Sequence, residues 1–472
     1  LRQLLTLLSS AVDTLEGIYT KENTPFPSLD KPWNPRDLSE AVAKQPEVVQ
    51  AKLTIVAAAE QLMATVRDPY AAMLRFGDGV LLVACLRTVS ELNVVEILRE
   101  AGSQGLHVKE IAAPSKVNPD LLARMLRALA TNHIFLEVAS NVFTNNRISS
   151  SLDKGKPSAE LFAKPEERLK GNATLAAVLE MFGDDLAKSY SYLADSIHAD
   201  PTGSTSPMAL AFNIPADEPI FHWMMRPENQ KRTQRFDVAM HSDSSRDIES
   251  GGIFKGPIIF FLLCFDWSTI PNGGIIVDVG GGLGGNGLAI AKKYSTLRVV
   301  NQDIGGVVEK SKAHWKEHLP SHVEKGLVEF QSHDFFTPQP VANASAFLLR
   351  HVTHDWTDPQ TVKILRHLRD AATPNTHLVV IEGIIPSIAE ESSTEVKGVE
   401  GAETERAPKP LLPNWGAGVS GIYSRDMLLH FLGGKERTAA NFVEVFKEAG
   451  WKVVRIHRIE GVEQCHVVGV PA

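Results

Sequence analysis

Residues 347–358, FLLRHVTHDWTD, set two histidines and an aspartate directly after an apolar, strand-like run. His354 and Asp355 stand side by side there. An imidazole with its reference pKa of about 6.5 is neutral at neutral pH and can take a proton from a phenol, whose own pKa lies near 10. A carboxylate on the far ring nitrogen would fix the tautomer and stabilise the imidazolium that forms. That is the chemistry of a general base, worth roughly 100- to 10,000-fold in rate. His351 reads as structural. The spacing His351-x-x-His354-Asp355 is conceivable for a metal, but Arg350 adjoins it, and no metal is expected.

A second constellation lies upstream. Residues 275–287, IIVDVGGGLGGNG, are a β-branched run that ends in Asp278 and then in glycines, which let a backbone approach a ligand closely. Gly280, Gly282 and Gly284 satisfy the G-x-G-x-G turn of methyltransferases, while Gly280, Gly282 and Gly285 satisfy the dinucleotide fingerprint. Asp303, at the end of LRVVNQD, could accept both hydroxyls of a ribose in either case. By these residues alone the choice between methyl transfer and a nucleotide dehydrogenase stays open.

The elements that must position these groups follow from pattern. After Gly273 short β-branched runs alternate with helical stretches: IIVDV, a helix near 286–294, LRVVNQD, a helix near 307–318, LVEFQSHD, AFLLRHV, a helix near 361–370, and HLVVIEG. Such alternation predicts an α/β, Rossmann-like parallel sheet covered on both faces, with ligands at the carboxyl ends of its strands. Upstream the chain is mainly helical. Residues 22–48, with five prolines, predict a surface strap without helix. Asn118-Pro119-Asp120 opens a helix whose Leu121, Leu122, Met125, Leu126 and Leu129 are expected to share a face, and IFLEV and VFTNN then predict a hairpin. Helices followed by a small hairpin make a winged helix. The expected domains are 1–155, helical and winged-helix, and 156–472, with 387–413, acidic and closed by prolines, as a mobile loop.

Composition narrows the partners. With 472 residues, 43% hydrophobic, the chain is long enough for two cores. A net charge of -8 gives no footprint for nucleic acid, and the winged helix offers only Arg124 and Arg127 on its last helix, so its apolar face is better used to pair with another subunit. Three widely separated cysteines build neither a disulfide framework nor a zinc site, which favours a cytoplasmic protein. Ser9, Ser10 and Asp13 interrupt the leucine-rich start, so it predicts an amphipathic helix and neither a membrane span nor a signal peptide.

DVGGGLG, NQDIGGVVE, HDFF, LLRHVTHDWTD, VVIEGIIP and GGKERT, in this order, resemble the class I small-molecule O-methyltransferases of plants and fungi typified by caffeic acid O-methyltransferase. The resemblance covers about residues 84–470. The proline-bearing N-terminal extension and the acidic loop look more like basidiomycete secondary-metabolism members than plant ones. What it implies is an S-adenosylmethionine-dependent, metal-free transfer to a phenolic hydroxyl of a small aromatic. It further implies a homodimer built through the N-terminal winged-helix domain, with no nucleic-acid or membrane partner. By the same resemblance His354 is the base, Glu382 and Glu436 flank and orient it, and Asp355 is the acid beside it. Gly280, Gly282, Asp303, Asp334, Phe335 and Arg350 match the positions that hold the cofactor's methionine tail, ribose and adenine. The family usually has Lys at Arg350 and Met at Phe335. Phe236, Met240 and Met427 match positions lining the aromatic substrate, and Phe431 stands where the caffeic acid enzymes carry an asparagine, implying a more apolar pocket. The alternatives are a carboxyl- or N-methyltransferase, for which His354 would be unnecessary, and a non-catalytic cofactor-binding regulator.

Overall fold

The computed structural model describes all residues except 172, 202–204, 216–217, 219, 246–263, 390–393, 404 and 459–463. The chain divides into two compact units, Leu1–Ser245 and Arg246–Ala472.

The first unit is helical. Helix α1 (Arg2–Lys21) turns Ala11, Leu15 and Tyr19 onto α2 (Pro46–Val66), where they meet Val48 and Ala51. The strap between them is not free of helix: Asp37 caps a five-residue turn, Leu38–Val42, by accepting from Ser39 N, because the prolines fall on either side of this stretch. Arg147 grips the strap through both oxygens of Glu40, at 2.8 and 2.7 Å. Helix α3 (Pro69–Glu91) leads to α4 (Val94–Ala101) and then to α5 (Pro119–Thr131), whose entry is capped by Asn118 accepting from Asp120 N and Leu121 N. Strands β1 (Leu106–His107), β2 (Leu136–Ala139) and β3 (Val142–Thr144) form an antiparallel wing in the order β1-β3-β2. Leu98, Leu126, Leu129, Phe135 and Phe143 bury the joint between wing and helices.

Residues 156–245, expected with the second domain, pack within this first unit. Helix α6 (Thr174–Met181) lies against α3 and against α7 (Gln230–Ser245). The buried carboxylate of Glu180 accepts from Ser90 Oγ on α3 at 2.7 Å and from Arg168. A buried carboxylate needs such partners, and that is a physical reason for this stretch to stay with α3.

The second unit holds the expected α/β sheet. Its strands are β4 (Ile275–Val279), β5 (Arg298–Asp303), β6 (Val328–Ser332), β7 (Ala346–Arg350), β8 (His377–Ile385), β9 (Arg437–Thr438), β10 (Trp451–His457) and β11 (Gln464–Pro471). The order is β10-β11-β8-β7-β4-β5-β6, with β9 pairing beside the end of β8. Pairing from β8 to β6 is parallel, as the alternation predicts, while β11 runs antiparallel to both β8 and β10. Helices α8 (Gly285–Lys293), α9 (Gly305–His318), α10 (Asp358–Ala371), α11 (Ser420–Leu432) and α12 (Ala439–Glu448) complete the unit. Alternate residues feed two cores: Val277, Phe347, Leu349 and Val380 meet Leu365, Phe442 and Phe446, whereas Ile276, Leu348 and Val379 meet Trp267, Ile290 and Leu297. A sheet covered on both faces is why the strands read as unbroken apolar runs.

In the 387–413 segment, residues 390–393 and 404 lie outside the described ones. Of the rest, Val396 and Ala402 are buried and Glu400 O accepts from Ile456 N of β10 at 2.8 Å, so this stretch is docked on the sheet edge. Among the described residues no helix is long and apolar enough to cross a membrane.

Candidate active site

His354 sits in a single 3-10 turn, Thr353–Asp355, just past β7. The turn is held from two sides. From β8, Glu382 accepts from Thr353 N and Thr353 Oγ1, both at 2.6 Å, and from His354 N at 3.1 Å. From the GGKERT segment, Lys435 N donates to His354 O at 2.8 Å, and fully buried Arg437 donates to Thr353 O, Trp356 O and Asp358 Oδ1 at 2.7, 2.9 and 2.9 Å. A side chain at Gly434 would place Cβ 2.1 Å from His354 O, so only glycine allows this approach. Thr438 then caps α12. The motif is thus a strap across the histidine turn.

Two carboxylates face the ring itself. Glu436 Oε1 lies 3.6 Å from Nδ1, and Asp355 Oδ1 lies 3.6 Å from Nε2. Glu382, expected to flank the imidazole, instead spends both oxygens on the turn's backbone and on Thr353, and so orients His354 through its main chain. Burial pushes the imidazole pKa down, but Asp355, Glu436 and Glu382 outweigh it and raise it to about 9. Against the expectation of an ordinary imidazole, neutral at pH 7, these acids hold the proton more firmly, because they surround the ring in a poorly solvated place. Burial raises Asp355 to about 6 despite the pull of His354. Glu436 is held below its usual range, since His354 and Arg425 overcome its burial. His351, with a left-handed φ of 53°, is half-buried and bonded to Gln464; desolvation first, and then the charges of His354, Arg350 and Arg425, hold its pKa well below the ordinary value against the opposing effect of the Gln464 bond.

The glycine turn follows β4. Gly280, Gly282 and Gly284 all have positive φ. Asp303 turns back onto it, its Oδ2 accepting from Gly282 N at 2.8 Å, and Asn301 Nδ2 donates to Gly282 O at 3.1 Å. A Cβ at Gly284 would meet Trp315 Nε1 at 2.1 Å, so this glycine serves packing, whereas Cβ atoms at Gly282 and Gly285 would meet nothing within 4 Å. Phe335 lies over the start of the turn, 3.6 Å from where a Cβ on Gly280 would be, and its ring meets Phe336 and Trp356 edge-on. Asp334 accepts from Phe336 N at 2.9 Å and so shapes the turn that presents Phe335. Arg350 reaches Asn286 Oδ1 at 3.2 Å and Gln464 Oε1 at 3.3 Å, tying the start of α8 to β11. Beneath the turn, Asp278 accepts from Gly287 N with one oxygen while its buried Oδ1 has no hydrogen-bond partner among the described residues; burial lifts this acid to about 7.

The glycine turn, Asp303, Asp334, Phe335, Arg350, His354 and Glu382 come from the carboxyl ends of β4, β5, β6, β7 and β8, and Glu436 from the segment that enters β9. Met427 and Phe431 lie on α11, the first 42% exposed and the second 1%. Phe236 and Met240 belong to α7 of the first unit, half-buried and exposed. Sequence reasoning singled out Glu436 within GGKERT but missed Gly434 and Arg437, whose roles are structural, and it missed Arg425, which bonds Glu436 at 2.7 Å. A conspicuous motif was the available signal for the first two; no local pattern marks Arg425.

Comparison with known proteins places the chain in a family. Residues 259–405 match the O-methyltransferase domain family and residues 74–154 the O-methyltransferase dimerisation domain family. The chain is 36% identical to the 4-O-methyltransferase 1 of Phanerochaete chrysosporium, over all of this chain and 99% of that one. It is 34% identical to an O-methyltransferase of Armillaria gallica, with the same coverage. Among solved structures, the mitomycin 7-O-methyltransferase MmcR superposes with a TM-score of 0.60 at 21% identity, covering 88% of this chain and 99% of that one. OxaC in complex with sinefungin and meleagrin gives 0.63 at 20%, covering 99% of both. These two share the fold. The chain belongs to the fungal O-methyltransferase family and is an S-adenosylmethionine-dependent O-methyltransferase.

Proposed function

We propose that the acceptor is a phenolic hydroxyl of a small aromatic secondary metabolite, and that His354 removes its proton. The observation that carries this reading is the imidazole set between Glu436 on Nδ1 and Asp355 near Nε2 at the carboxyl end of the sheet. With Glu436 engaging Nδ1, Nε2 is the nitrogen that takes the phenol's proton, and the carboxylates stabilise the imidazolium formed. Transfer to a carboxylate would need no such base. The relative's name, a 4-O-methyltransferase, accords with a ring hydroxyl.

The residues present fit S-adenosylmethionine: the space beside Gly282 and Gly285 admits a ligand to the bare backbone, and Asp303 lies at its edge with lone pairs left to accept from ribose hydroxyls. Gly280 and Gly282 would hold the methionine tail, Asp334 and Phe335 the adenine, and Arg350 would fix the loop through Asn286. The cofactor, when bound, supplies a methyl group already activated on a sulfonium. Holding the acceptor oxygen in line with it accounts for the remaining rate, since orientation alone can remove about 7 to 11 kcal/mol. Met427 and Phe431, on α11 of the second unit, are candidates to meet the aromatic substrate, and Phe236 and Met240, on α7 of the first unit, are candidates in their own right. The working unit is a homodimer through the N-terminal unit, where α3 exposes Tyr70, Met73, Phe76, Val80 and Leu81.

The test is release of S-adenosylhomocysteine from S-adenosylmethionine in the presence of panels of phenols, aromatic carboxylic acids and amines. The reading expects phenols to support turnover. Turnover confined to acids or amines would reject it.

A further inference from the structure

The carboxylate that faces His354 is shared. Glu436 Oε1 lies 3.6 Å from His354 Nδ1 but 2.7 Å from Arg425 Nε, so the short charge-assisted bond belongs to the guanidinium. The three side chains are 1%, 11% and 13% exposed for Glu436, His354 and Arg425, which leaves their charges weakly screened. Sheet strand β8 makes room for the contact. A Cβ on Gly383 would fall 2.6 Å from Arg425 Nη2 and 3.4 Å from Glu436 Oε2. Asp426, the next residue on α11, accepts from Glu436 N at 2.8 Å. Consecutive residues of α11 therefore hold Glu436 by its side chain and by its backbone.

The need for this grip lies in the charges around the imidazole. Asp355 faces it from its own turn and Glu436 from the segment before β9, and the charge of Glu382, bonded to the turn's backbone from β8, adds to theirs. The cationic or titratable groups beside them are His351, whose ring centroid is 5.1 Å away, and Arg425 from α11, which bonds Glu436 Oε1. Lys435 is engaged with Asp358, and Arg350 with Asn286 and Gln464. Three carboxylates unopposed would bind a proton on His354 so firmly that it could seldom accept one from a substrate. Resting on the general-base reading above, we propose that Arg425 is a positioning residue that claims Glu436 Oε1 and thereby limits how firmly His354 holds its proton, keeping the imidazole available as the base.

The direct readout is the titration of His354 in the full-length protein labelled with carbon-13 at histidine Cε1. Its resonance is assigned by its disappearance in His354→Ala. Arg425→Gln removes the opposing charge and is expected to move the His354 midpoint upward by roughly one pH unit. Arg425→Lys keeps the charge and is expected to restore most of the wild-type midpoint. Gly383→Ala pushes on the guanidinium from β8 and is expected to shift the midpoint in the same direction by less; it carries the test if Arg425→Gln fails to fold. An unchanged midpoint in these variants, or a fall in turnover equal at every pH, would show a merely structural contact and overturn the proposal. The base reading fails separately: phenol turnover surviving in His354→Ala rejects it whatever the midpoints do.

Discussion

One ionisable ring governs the chemistry of the site. Burial alone would depress His354, yet Asp355, Glu436 and Glu382 raise it to about 9. The working form of a base is the deprotonated one. The sign therefore runs toward alkali: kcat/KM for a phenol should climb with pH and level only above about 9, falling roughly tenfold for each unit below that value. A wild-type pH profile with saturating cofactor checks this, and a rate already level at neutral pH would contradict it. His354 and Asp355 could be recognised in the sequence because a His-Asp pair after an apolar strand is a local pattern. The raised pKa could not, because its causes sit at positions 382 and 436, far along the chain and close only after folding. The same holds for Asp278, visible as the end of a strand but not as an acid lifted to about 7.

At the scale of the element, the parallel core of the sheet was legible since its strands are apolar on both faces and alternate with amphipathic helices. The antiparallel placement of β11 was not, for nothing in QCHVVGVP encodes direction. Residues 156–245 carry helical periodicity that does not say which core they join, and the partner of buried Glu180 is Ser90, ninety residues back. GGKERT was legible as a motif and opaque as a mechanism, because each residue's purpose depends on a turn eighty residues earlier. That purpose can be tested at Gly434, where Ala would meet His354 O and the backbone of Asp355. Gly434→Ala should cost about 1–3 kcal/mol in stability and lower turnover by displacing the base. Denaturant unfolding and steady-state kinetics check it; a variant as stable and active as wild type would show that the strap does not position His354.

At the scale of the whole molecule, the first unit carries a dimerisation domain together with an exposed apolar face on α3, where Phe76 and Leu81 are 78% and 66% exposed. Faces of this kind are usually covered in solution. The double substitution Phe76→Glu with Leu81→Glu should convert a dimer into monomers by sedimentation velocity, and an unaltered dimer would place the interface elsewhere. The amphipathic helices of this unit were readable, but not which face stays bare, since that depends on which neighbours the fold supplies. The proposed site joins a cofactor cradle to a base that the cradle does not need for binding. Calorimetry of S-adenosylhomocysteine binding, run beside phenol methylation by wild type and His354→Ala, tests it most directly. The account expects the variant to keep its cofactor affinity and lose about 100-fold or more in kcat; a variant that binds cofactor and methylates the phenol at the wild-type rate would contradict it.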